Sequence, residues 1–159
     1  MSTHTYEILL CWTGDRGSGT SSYNSYGRDH EIIAEGKQTP IAGSSDAHFR
    51  GDAARYNPEE LLVASLSACH MLSYLHLCAV NGVVVTSYED VATGAMVESA
   101  DHGGSMTGVT LRPKVVISAE SDPARALALH DEAHHLCFIA NSVRFPVGHE
   151  AVITRAVVA

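Results

Sequence analysis

The sequence predicts an α+β fold in which antiparallel sheets pack around one long buried helix, and three observations carry that expectation. A single apolar stretch between Asn57 and Gly82 has helix signals at both ends. Extended segments come in groups before and after that stretch instead of alternating one to one with helices. The resulting order, β-β-β-α-β-β-α-β, does not fit a parallel doubly wound sheet.

Tyr6, Ile8, Leu10 and Trp12 alternate with Glu7, Leu9 and Cys11, and the turn cluster Asp15-Arg16-Gly17-Ser18-Gly19 follows, so a strand enters a hairpin. Further extended segments are expected from Thr20 to Tyr26 and from His30 to Glu35, giving an antiparallel meander. A Gly-, Ser- and Asp-rich connection then leads through Arg55. In Asn57-Pro58-Glu59-Glu60 the Asn caps a helix, Pro suits the first position, and the Glu at the third can bond back to the cap. Asn81-Gly82 is the matching stop. Between these signals apolar residues run almost all the way round, the pattern of an interior helix.

Two extended runs, Val83 to Glu98 and Ser105 to Glu120, flank a hairpin loop over Ser99 to Gly104. Asp122-Pro123 opens a second helix reaching Leu136, and His149 to Val158 is the expected last strand. No repeat, linker or low-complexity segment divides the chain, so residues 1–159 are expected to form one domain.

Composition narrows the function classes. The 159 residues are 45% hydrophobic and 18% charged, ordinary for a globular chain. A net charge of −8, with Lys and Arg scattered, argues against a nucleic-acid partner. The start, MSTHTYEILLCWTG, has neither a basic n-region nor an apolar h-region long enough for export, which predicts a cytoplasmic protein. Leu61 to Val80 approaches spanning length, but Ser65, Ser67, His70, Ser73, Tyr74 and His76 interrupt it, favouring a buried helix over a membrane span. Cysteines at 11, 69, 78 and 137 lack the spacing of a zinc ribbon or a secreted disulfide scaffold, so they are free or catalytic thiols.

A helical cysteine is ordinarily a small core hydrophobe. Cys69 stands apart because of its setting, Asn57-Pro58-Glu59-Glu60-Leu61-Leu62 followed by Ala64-Ser65-Leu66-Ser67-Ala68-Cys69-His70. This segment resembles the signature helix of the OsmC/Ohr family of organic hydroperoxide reductases, in which a reactive cysteine follows the Glu of Asn-Pro-Glu by ten residues. Tyr26-Gly27-Arg28-Asp29-His30 resembles the family segment with the active-site arginine, and Phe49-Arg50-Gly51-Asp52 a stretch of the OsmC-like branch. Ala133-His134-His135-Leu136-Cys137 is similar to the Ala-His-x-x-Cys that holds the second cysteine.

The resemblance implies the OsmC/Ohr architecture, an intertwined homodimer with two sites at its interface. It also implies a cycle in which the Cys69 thiolate attacks the distal peroxide oxygen, the alcohol leaves, and the sulfenic acid condenses with Cys137. A dithiol, of lipoyl type, would reduce the disulfide, with no metal, haem or flavin. Because a free thiol is mostly protonated at neutral pH, a cation is needed, and Arg28 fills that place by resemblance. Its fork could bond Glu59 on one side and face Cys69 on the other. Ten helical residues separate Glu59 from Cys69 by about 15 Å, so either the helix breaks or Arg28 reaches between them.

Cys137 sits at a helix end, where the dipole disfavours a thiolate, and so suits resolving better than attacking. Phe138 follows it where the family often has Pro. Cys78 faces away from Cys69, as core, and Cys11 is a strand residue. Histidines 130, 134 and 135, with Cys137, include an i, i+4 pair able to bind zinc, but no second cluster at ligand spacing completes a site. His70 and Cys69 point about 100° apart and are not a Cys-His hydrolase pair. The alternatives are therefore a non-catalytic redox sensor or small-molecule binder, and a metal-binding protein.

Overall fold

The computed structural model describes residues 1–101 and 103–157, arranged as two compact units, Met1–Leu61 and Leu62–Ala159. The first holds an antiparallel three-stranded sheet of β1 (Leu9–Trp12), β2 (His30–Ile33) and β3 (Ile41–Gly43). Its register pairs Leu9 with Ile33, Trp12 with His30 and Ile32 with Ile41.

The meander is present, but its strands differ from those expected. Thr20 to Tyr26 is a run of turns and bends, because Ser25 draws the chain round itself. Its hydroxyl donates to the Gly19 and Ser22 carbonyls at 3.0 and 2.9 Å and accepts from the Ser22 N–H at 3.1 Å. Such local side-chain bonds compete with a strand ladder. The third strand is β3, inside the stretch expected to be a connection. After it, Arg50 adopts a left-handed backbone, φ 66°. A Cβ on neighbouring Gly51 would lie 1.6 Å from the Ser45 carbonyl oxygen, so only glycine fits there.

Helix α1 (Pro58–Val80) begins with a reciprocal cap. The Glu60 N–H donates to Asn57 Oδ1 at 2.8 Å, and the Asn57 N–H donates to Glu60 Oε2 at 3.1 Å. It stops at Gly82, whose φ of +72° turns the chain so that the Val83 N–H reaches the Cys78 carbonyl at 3.0 Å.

The second unit adds β4 (Val85–Asp90), β5 (Thr93–Glu98), β6 (Gly104–Leu111), β7 (Pro113–Ile117), α2 (Pro123–Leu136), β8 (Val147–His149) and β9 (Val152–Arg155). The two expected extended runs are each broken once, and their halves join different sheets, β4-β7-β9 and β5-β6-β8. A side-chain bond marks the breaks: the Arg112 N–H donates to Asp90 Oδ1 at 2.6 Å instead of to a strand partner. Both sheets are mixed, not antiparallel, since β8 runs parallel to β6 and β9 parallel to β7. The last strand is shorter than expected, and β8 precedes it. His102 in the hairpin loop and Val158 at the strand end lie outside the described residues.

Helix α2 runs over the residues expected, with Asp122 accepting from the Ala124 N–H at 3.0 Å and Pro123 in its first turn. Tyr74 and Cys78 of α1 pack with Val115 and Ile117 of β7 and with Ala126, Leu129 and Ala133 of α2. Leu66 packs with Val109 and Leu111 of β6.

Burial of α1 is the main departure from expectation. Only Leu66, His70, Tyr74 and Cys78, a single i, i+4 stripe, are buried, whereas Leu72 is 63% and Val80 65% exposed. The helix is long and apolar enough to cross a membrane by length and composition alone, but its buried stripe belongs to the core of its own unit. Leu66 is fully buried, and Leu66→Ala is expected to cost about 2–5 kcal/mol of stability, read from denaturant midpoints at unchanged slope.

Candidate thiol site

Cys69 lies midway along α1, at the edge of its buried stripe and half-buried. The turn carrying it is tied to β4 by the Ser67 hydroxyl, which donates to Asp90 Oδ2 at 2.5 Å. Cys137 is the C-cap of α2, where φ −71° and ψ 105° end the helix while its N–H still reaches the His134 carbonyl at 3.3 Å.

The cap folds back on itself. Cys137 Sγ accepts from the Ala140 N–H at 3.4 Å, and the Ser142 hydroxyl donates to the Phe138 carbonyl at 2.7 Å. These bonds form a tight turn without the usual proline and leave Phe138 81% exposed.

The two thiols influence each other. Cys137 is buried, and its thiol is pushed up to about 11, first by burial and then by a hydrogen bond with the Cys69 thiol. Both are free thiols, the reduced state from which a disulfide can close. Cys69 borders a largely apolar groove of about 620 Å³ lined also by Ala68, Leu72, Leu136, Phe138 and Ile139, with Ser65, Ser73 and His76 as its polar members.

The expected Arg28–Glu59 pair is not formed. Arg28 donates to the Tyr26 and Tyr23 carbonyls at 2.6 and 2.8 Å, and its guanidinium lies 4.1 and 4.5 Å from the centroids of those rings. Its fork is thus occupied by carbonyls and aromatic faces of its own segment. Glu59 is half-buried in the first turn of α1, a place the helix dipole favours, and among the described residues it has no ion-pair partner. Cys78 is buried and its thiol pushed up by that burial, as a core residue should be. Cys11 sits on β1.

The sequence singles out His70, His130 and His134 separately but not their grouping with His149. His70 of α1 and His130 of α2 are buried, and His70 Nε2 lies 3.0 Å from His130 Nδ1. His130 stacks on Tyr74 at 3.8 Å, while His149 of β8 lies 5.4 Å from His70 and 6.1 Å from His134, ring to ring. The available signal was the i, i+4 spacing of His70 with Tyr74 and of His130 with His134, which puts each pair on one helix face. Among the described residues no group of three or more His, Cys, Asp or Glu is arranged to hold a metal ion.

Residues 51–151 match the family model described as OsmC-like protein. An OsmC-like protein of unknown function from Vibrio cholerae is 34% identical, with 94% of this chain and 100% of that one covered and a TM-score of 0.84. Organic hydroperoxide resistance proteins from Legionella pneumophila and Bacillus subtilis share the fold at lower identity. The first is 17% identical, covering 97% and 99% of the two chains at a TM-score of 0.69. The second is 19% identical, covering 95% and 98% at 0.63. Comparison with curated proteins gives no match. Family match and structural likeness over nearly the whole chain agree that this protein belongs to the OsmC-like family.

Proposed function

We propose that the protein is a thiol-dependent peroxidase that reduces organic hydroperoxides. The observation that carries this reading is that Cys69 opens on an apolar groove and interacts with the buried Cys137 thiol. Cys69, the more accessible sulfur, attacks the distal peroxide oxygen; the alcohol leaves, and Cys137 condenses with the sulfenic acid to give a disulfide and water. Burial and the helix C-terminus hold Cys137 protonated until then, which suits the resolving role. An apolar groove favours an alkyl or aryl hydroperoxide over hydrogen peroxide.

A cellular dithiol, of lipoyl type, then reopens the disulfide in the cytoplasm. The uncovered apolar face of α1 supports the homodimer, because a second copy would bury Leu72 and its neighbours. Arg28 is assigned the cation that favours the Cys69 thiolate, without Glu59 as its partner. Arg28→Ala is expected to slow alkylation of Cys69 on the order of tenfold at neutral pH. An unchanged pH profile of alkylation would restrict Arg28 to packing on its tyrosines.

The test is consumption of cumene hydroperoxide with a dithiol, followed by peptide mapping after one equivalent of oxidant. A single Cys69–Cys137 bridge is expected, whereas a bridge through Cys11 or Cys78 would overturn the assignment.

A further inference from the structure

The peroxidase cycle has a step that the two sulfurs cannot complete alone. Cys137 must lose its proton as it attacks, yet its thiol is buried and accepts a hydrogen bond from the Ala140 N–H. Histidines neighbour both cysteines along the chain. His70 directly follows Cys69 on α1, and His130, His134 and Cys137 fall at i, i+4 and i+7 along α2, on one face of that helix.

The geometry of the central pair is specific. The rings of His70 and His130 differ by 7° in plane, and their centroids are 5.3 Å apart against 3.0 Å between facing nitrogens. That excess is about the sum of the two centroid-to-nitrogen radii, so the rings lie end to end in nearly one plane and the hydrogen bond is close to linear. A metal shared by both rings would need lone pairs that converge off that line.

Each neutral ring holds one proton. Whichever ring donates across the bridge, one outer nitrogen is then a donor and the other an acceptor. Those outer atoms, His70 Nδ1 and His130 Nε2, are buried and have no hydrogen-bond partner among the described residues. A core pair serving only packing would leave two buried polar atoms uncompensated, at about 1–3 kcal/mol each. A proton relay needs such open ends, because one proton enters at one end while another leaves at the other.

His149 offers the way out. Its ring lies 5.4 Å from His70 and 5.8 Å from His130, and its Nε2 is 3.1 Å from Oδ1 of Asp131, whose side chain is 79% exposed. Asp90 on β4 adds negative charge towards His70, and the His134 ring lies 6.1 Å from that of His149.

We infer that His70, His130, His134 and His149 form a proton relay for the Cys69–Cys137 pair, with its outlet at Asp131. The inference rests on the proposed resolving role of Cys137. In the step it serves, the Cys137 S–H bond breaks, the S–S bond forms and the Cys69 S–O bond breaks. The Cys137 proton enters the relay and an equivalent proton leaves it at Asp131, while the hydroxide departs from Cys69, and the two combine as water in the solvent. The Cys69 sulfur is reduced from the sulfenic state and the Cys137 sulfur is oxidised, so the step balances without another reactant.

The relay can be read without any peroxide. In a Cys11→Ser, Cys78→Ser background, a nitrobenzoate disulfide reagent reacts first at Cys69, releasing one coloured thiolate, and closure by Cys137 releases the second. Here the departing thiolate needs no proton, so the Cys137 proton passes through the relay to solvent. His130→Phe, which keeps a ring on Tyr74, and the more exposed His149→Gln are expected to slow the second release by a factor of ten to on the order of a hundred. The first release should stay within about twofold in both variants, since Cys69 attack does not draw on the relay. The defect should fade at high pH, where hydroxide removes the Cys137 proton, and the slowing of closure in heavy water should be lost.

Closure at the wild-type rate in both variants overturns the relay. So does slowing by the same factor at every pH, which would be a structural effect. His149→Gln leaves the core intact and decides the matter if His130→Phe does not fold. If the wild-type protein fails to consume hydroperoxide, the peroxidase reading falls, and the second thiolate release still decides the relay.

Discussion

Cys69→Ser is expected to abolish hydroperoxide consumption, lowering it at least about a thousandfold, as loss of a nucleophile does where no other group can form the covalent intermediate. The other cysteines cannot substitute. Cys78 is buried with its thiol pushed up by burial, Cys11 lies on β1 outside the motif helix, and Cys137 is held protonated near 11. Cys11→Ser and Cys78→Ser should therefore retain turnover. Cys137→Ser should consume one equivalent and stop, accumulating the sulfenic or over-oxidised form of Cys69, which mass spectrometry of the intact protein detects. Steady turnover by Cys69→Ser would remove the basis for the mechanism.

Acid is expected to unfold the protein well above the pH at which carboxylates titrate. Burial, followed by neighbouring histidines, pushes His70 down to about 4 and His130 down to about 3 from the ordinary 6.5. Between those values the unfolded chain binds more protons than the folded one, so stability falls with pH. The contribution is whole above about 6.5 and is lost as pH drops towards the folded values, a difference of a few kcal/mol for the pair. Urea unfolding at about pH 7.5 and about pH 5 should show a clear drop in midpoint, and His130→Phe should reduce that drop. Equal midpoints in the wild-type protein would mean that the rings are hydrated or protonated in the fold.

Features with a local physical cause were legible in the sequence. The Asn57–Glu60 cap, the Gly82 stop and the Asp122-Pro123 start all mark the helix ends found, because caps and turns depend on residues within a few positions. A pairing of Cys69 with Cys137 was expected through the family motif alone, since no local rule relates residues on different helices. Three things were hidden for stated reasons. Thr20 to Tyr26 has strand-forming composition, but Ser25 bonds its own turn. The breaks at Asp90 and Arg112 depend on a contact between distant strands. The histidine pair depends on two helices meeting at one height, and along α2 alone the same residues looked like half of a zinc site.

The mixed sheets also bear on the order in which the molecule is made. Strands β8 and β9 supply the parallel partners of β6 and β7, and they follow α2 in the chain. Pairings that skip a whole helix form late, because a long loop must close before any contact rewards it. On the ribosome, Cys69 emerges long before the strands that complete the core around its helix. The nascent chain therefore holds a thiol without its resolving partner, so that a sulfenic acid formed then has no internal thiol to stop further oxidation. Prompt release of the last strands would protect that sulfur as much as it stabilises the fold.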